Sequence, residues 1–112
     1  MLEVVSQSAE VDARTTRAFR LVGELDAGSV EAAGFLVVQT PAGPEDLRLD
    51  LSELTFMGSE GVRLLIDLAR ARAGSGELVL VNPTRVVRRI LELTGVERLA
   101  NLRVLLDAPA TG

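Results

Sequence analysis

The chain contains no cysteine, histidine, lysine, tryptophan or tyrosine. Without cysteine there is no disulfide, and the redox compartment is left open. Without histidine the chain lacks the commonest general base and the commonest transition-metal side chain. Aromatics make up 3% of the residues, all of them Phe, so the core must be aliphatic and platforms for base stacking are missing. The twelve basic residues are all Arg, set against sixteen acids, for a net charge of −4 and a pI near 4.8. That balance argues against nucleic acid as a partner. No apolar run approaches the roughly eighteen residues of a membrane span. The first residues, Met1 to Gln7, have neither the basic nor the apolar region of a signal peptide. A soluble cytoplasmic protein with no membrane association is therefore expected. Neither G-x-x-x-x-G-K nor G-x-G-x-x-G occurs, and no carboxylate pair has a spacing that demands acid–base work. No catalytic residue, metal site or cofactor is expected, and an enzyme is the least favoured class.

The hydrophobic share is 47% of 112 residues, enough for one domain over residues 1–112. Leu2 to Val5 and Thr16 to Val22 read as strands, with a turn at Asp12-Ala13-Arg14-Thr15. Phe19 and Leu21 alternate with Arg20, as in a sheet with one wet face. Gly23-Glu24-Leu25-Asp26 breaks that pattern, and Asp26 is the expected N-cap of a helix through Val30, Ala33 and Leu36 or Val37. Gly28 and Gly34 weaken that helix by roughly 1 kcal/mol each. Pro41 to Asp46 reads as a loop, and Leu47 to Leu51 as a strand. Val62, Leu65, Ile66 and Ala69 repeat at helical spacing, and Gly74-Ser75-Gly76 would end that helix. Leu78 to Val81 is continuously apolar, as suits a strand covered on both faces. Asn82-Pro83 would open a helix whose buried stripe is Val86, Val87, Ile90 and Leu91, with Arg85, Arg88 and Arg89 as its wet face and Gly95 past its end. Leu102 to Leu105 is a last strand, followed by a frayed tail from Ala108. Alternating strands and helices predict an α/β fold, a mixed sheet with helices on one side.

One stretch stands out. Leu54-Thr55-Phe56-Met57-Gly58-Ser59-Glu60-Gly61-Val62 lies where a strand gives way to a helix. Ser59 there would act as N-cap, worth about 1 kcal/mol. An added phosphate at the same place would meet the positive end of the helix dipole. Glu60 suits that dipole in its own right. Met57 would supply an adaptable contact if exposed, or fill the core. Asp50, between Leu49 and Leu51, is expected to face water.

With Gly23-Glu24-Leu25-Asp26, Leu49-Asp50-Leu51-Ser52 and Thr94-Gly95 in order around it, this stretch resembles the STAS domain of the anti-sigma factor antagonists. The resemblance covers almost the whole chain and implies a STAS-type fold of about five strands. It further implies that Ser59 is the serine phosphorylated by a partner kinase. A phosphoserine adds a charge of roughly −1.5 to −2, which a helix N-terminus tolerates and a docked partner does not. Two positions depart from the family pattern: the Asp before the serine is Gly58, and the Ser or Thr after it is Glu60. The implied function is an anti-anti-sigma factor of a bacterial transcription switch. It would bind an ATP-dependent anti-sigma serine kinase and be restored by a phosphatase. Partner contacts are expected from Glu24, Asp26, Met57, Gly58, Glu60, Gly61 and Arg63, with the protein a monomer or weak homodimer. Two alternatives stand beside it: a non-switching STAS scaffold in a sensory assembly, and a soluble STAS subunit of a lipid-transport ABC complex.

Overall fold

The computed structural model describes residues 2–7, 9–11, 14–29, 34, 45–72 and 76–106. Its elements are β1 (Leu2–Ser6), β2 (Ala9–Val11), β3 (Arg14–Leu25), β4 (Leu47–Met57), α1 (Ser59–Arg70), β5 (Leu78–Val81), α2 (Arg85–Thr94) and β6 (Leu102–Leu105), with short 3-10 turns at Ala27–Ser29 and Val96–Arg98. The sheet order is β1-β3-β4-β5-β6, and β2 pairs with β3 off that path. β1 and β2 run antiparallel to β3, while β3, β4, β5 and β6 are mutually parallel. This is the expected mixed α/β sheet.

The core is aliphatic. Phe19, Leu21, Leu47, Leu49, Leu51, Leu78 and Leu80 meet Leu65, Leu68 and Ala69 of α1 and Val87 and Leu91 of α2. All four residues of β5 are buried, as its unbroken apolar run required. Arg72, at 4% exposure, donates from Nη1 to the Glu45 carbonyl at 3.0 Å. Burial lowers its pKa from the ordinary value, while Glu45 pulls it back up.

Several boundaries differ from expectation. Arg14 and Thr15, expected in a turn, belong to β3, and Arg14 pairs with Val11 of β2, a strand that was not expected; residues 12–13 lie outside the described residues. β3 also continues through Gly23 and Glu24 to Leu25. β4 runs on to Met57, well past Leu51. The register explains why alternation hid this. Arg20 pairs with Asp50 but Val22 with Glu53, and Gly23 with Leu54 but Glu24 with Phe56. At each shift β4 carries one residue more than β3, and each extra residue moves the inward set by one. The buried positions therefore run Leu47, Leu49, Leu51, then Leu54, then Met57.

Side chains hold both irregularities. Asp50, expected in water, is 8% exposed and accepts the Ser52 N–H at 2.9 Å. Thr55 Oγ1 donates to the Gly23 carbonyl at 2.9 Å. Gly23 has φ 109°, a conformation that only glycine adopts at little cost.

The N-cap of α2 is Thr84, not Asn82. Its hydroxyl accepts from Val87 N and donates to the Leu54 carbonyl at 2.8 Å. Gly95 closes α2 in the left-handed region, φ 74°, as expected. Val86, assigned above to the buried stripe, is 52% exposed. Of the helix expected through Val30, Ala33 and Val37, the structure describes the 3-10 turn and a helical residue 34. The rest, the loop over 41–44, the 74–75 stop and the tail over 108–112 lie outside the described residues.

Candidate functional site

The site forms at one end of the sheet, where β3 and β4 finish side by side. Glu24 pairs with Phe56 and Leu25 with Met57. Leu25 and Met57 point into the core at 1% exposure each. Glu24 and Phe56, one residue out of phase, face outward. Phe56 is 45% exposed, a large apolar side chain at the surface.

The chain then turns into α1. Gly58 is the N-cap and, having no side chain, supplies no capping bond; its N–H donates to the Leu25 carbonyl at 2.8 Å. Ser59 is therefore the first residue of the helix, not its cap as expected. Its hydroxyl is exposed and donates to Glu60 Oε2 at 3.1 Å. The first N–H groups of a helix lack intrahelical partners and carry its positive dipole end. Ser59 thus presents to solvent a hydroxyl tied to the Glu60 carboxylate, at the helix end where added negative charge is best tolerated.

Gly61 fixes how close α1 comes to the sheet. A Cβ there would lie 2.6 Å from Met57 Cγ and 2.8 Å from the Leu25 carbonyl oxygen. No side chain fits, so the first turn of α1 rests directly on the ends of β3 and β4. Gly61 is buried, and with Met57 it corrects the expectation of partner contact. Both support the turn from beneath, because Gly61 is buried and Met57, at 1% exposure, has no surface to offer.

Asp26 sits beside the turn. A Cβ on Gly58 would lie 3.5 Å from Asp26 Cβ and 3.6 Å from Glu60 Oε2. Asp26 also caps locally: its Oδ1 accepts the Gly28 N–H at 3.0 Å, and its own N–H donates to Ser29 Oγ at 2.9 Å. The fold therefore brings Asp26, Gly58, Ser59 and Glu60 together, with Glu24 at the same end of the sheet and Arg63 exposed one turn along α1. Three acids and one base make that end acidic. The exposed Phe56 was missed as a surface residue. Its signal was an aromatic on the strand position just before an inward Met. Among the described residues no group of His, Cys, Asp and Glu could hold a metal.

A family model described as Mlab, STAS domain matches residues 8–107. The chain belongs to this family. The STAS fold also appears in solved structures, all at low identity. An anti-sigma factor antagonist from Mycobacterium paratuberculosis superposes with a TM-score of 0.65 at 23% identity, covering 90% of this chain and 86% of that one. A candidate antagonist from Thermotoga maritima gives 0.67 at 21%, covering 90% and 85%. The anti-sigma factor antagonist SpoIIAA in its unphosphorylated form gives 0.58 at 24%, covering 95% and 90%. No curated protein matches the chain. Among the described residues no helix is long and apolar enough to cross a membrane.

The family pattern's Asp before the serine is Gly58 in this STAS chain. A Cβ at Gly58 would make only ordinary contacts, and its φ of −90° and ψ of −174° suit any residue. The loss of the Asp is thus not enforced by the local backbone. Glu60 accepts the Ser59 hydroxyl at 3.1 Å.

Proposed function

We propose that this STAS protein is an anti-sigma factor antagonist. It docks the acidic turn face on an anti-sigma serine kinase, which transfers a phosphate to Ser59 and so ends the complex. The observation that carries this reading is the exposed Ser59 hydroxyl at the first position of α1, on the turn that Asp26 adjoins. A phosphate there leaves the fold intact, since the helix end favours the charge. It adds that charge to a surface already holding Glu24, Asp26 and Glu60, so a partner drawn by apolar contact at Phe56 meets a desolvated anion and dissociates. A phosphatase acting on phospho-Ser59 restores binding. Glu24, Asp26, Gly58, Glu60 and Arg63 are the proposed contact residues, with Phe56 added. The protein acts as a substrate and binding module, not as an enzyme, and works in the cytoplasm.

The test is intact mass after incubation with ATP and the anti-sigma kinases of the same cell. One added phosphate, lost in Ser59→Ala, is expected. Binding with no phosphate on any kinase rejects the switch.

A second reading is kept because the matching family model is described by Mlab and because Gly58 and Glu60 depart from the switch pattern. Here the chain is a soluble STAS subunit of a lipid-transport ABC complex, with the same face seated permanently on an ATPase. Co-purification with an ABC ATPase, unaffected by Ser59→Asp, distinguishes it.

A further inference from the structure

A second surface lies away from the Ser59 turn. α2 buries Val87 and Leu91, but its outer side is not uniformly polar. Val86 is 52% exposed and Leu93 70%. Ile90, half-buried, lies between them at helical spacing and joins the stripe to the core edge. Arg85 and Arg89 follow the stripe along one side. An open concavity of about 660 Å³ runs against this face, lined by Arg85, Val86, Arg88, Arg89, Ile90 and Glu92.

Charge decides what fits there. Arg88 and Arg89 share one carboxylate, Glu92, at 3.3 and 3.9 Å. Arg85 meets no carboxylate among the described residues. Three arginines against one acid make this face basic on a chain of net charge −4. A solvated helix face needs no exposed Leu and Val, and an apolar contact alone needs no arginine row. The two together are the complement of a helix with Leu on one face and Glu or Asp beside it.

We propose that the outer face of α2 is a second docking surface, which takes an acidic amphipathic helix of a partner protein. A partner helix can lay its apolar face along this side of α2. A membrane-surface helix would instead present a broad, protruding apolar face, and α2 exposes only two large apolar side chains. The arginines speed encounter and set orientation, while Val86, Ile90 and Leu93 supply the apolar contact. This surface does not depend on Ser59, so a partner held there stays bound whether or not the turn is phosphorylated.

The experiment titrates the isotopically labelled full chain with a synthetic helical peptide carrying Leu at i, i+4 and i+7 and Glu between. A twin with Lys in place of Glu and phosphatidylglycerol vesicles serve as competitors. Expected are amide shifts over Arg85–Thr94 with the acidic peptide, binding that weakens as salt rises, and about tenfold weaker binding in Arg85→Glu/Arg89→Glu, equivalent to about 1.4 kcal/mol. Val86→Ser/Leu93→Ser also weakens it, and Ser59→Asp leaves it unchanged. Equal binding of the Lys twin, shifts mapping to another surface, or binding to vesicles but not to the peptide overturns the proposal. So does sedimentation showing that α2 pairs with a second copy of the chain.

Discussion

The Ser59 turn and the outer face of α2 are built in opposite ways. Both helices leave the ends of parallel strands, the place where α/β sheets present their ligand surfaces. Beneath the turn the packing has no slack: Gly61 rests on the Leu25 carbonyl and Met57 is 1% exposed. Around it lie Asp26 and Glu60, with Glu24 and the exposed Phe56 at the neighbouring strand ends. The α2 face has the reverse sign of charge, and its exposed Val86 and Leu93 support nothing beneath them. One surface is a by-product of a tightly determined core, so its shape cannot change without cost to the fold. The other is a solvent face whose exposed Val86 and Leu93 are outside the core, so apolar side chains there need another reason.

The comparison breaks if the turn proves loosely supported. Met57→Ala is expected to destabilise by about 3 kcal/mol, through lost burial and the cavity left behind. Urea unfolding checks this, and a loss below about 1 kcal/mol would mean that Met57 is not a core residue. Gly61→Ala should follow at about 2 kcal/mol, because the added carbon must displace backbone at Leu25. Thr84→Ala should cost about 1 kcal/mol, by loss of the α2 cap and of the bond to the Leu54 carbonyl.

At the surface the effects shrink. Ser59→Ala should change stability by less than about 0.5 kcal/mol, since Ser59 does not cap α1. A loss near 1 kcal/mol would restore the N-cap reading. Gly58→Ser, which adds a capping hydroxyl where none exists, should stabilise by only a few tenths of a kcal/mol. Val86→Ser/Leu93→Ser should likewise stay within about 0.5 kcal/mol, which sharpens the contrast between the two faces.

Much of this was legible in the sequence. Leu78 to Val81 and Leu102 to Leu105 were found at their observed bounds, because an unbroken or short apolar run admits few alternatives. The proximity of Asp26 to the Ser59 turn followed from the family resemblance, not from periodicity. The extent of β4 was hidden, since its two register shifts make Ser52-Glu53 look like a turn. Met57 could not be assigned from sequence, because a thioether suits core and surface equally. Val86 was misplaced for a related reason. It adjoins the apolar arc of α2, and the width of that arc depends on how the helix is rotated against the sheet.

The sequence by itself determined an aliphatic α/β domain, the order of its elements from β4 onward and a serine between a strand and a helix. Hydrophobic spacing and backbone propensity are local properties and suffice for that. Only the tertiary structure decided that Gly58 rather than Ser59 caps α1, that Gly61 lets the helix touch the sheet, and that Phe56 and Leu93 are left outside. Those outcomes depend on register shifts, helix rotation and contacts under 4 Å between distant segments, which no local pattern encodes.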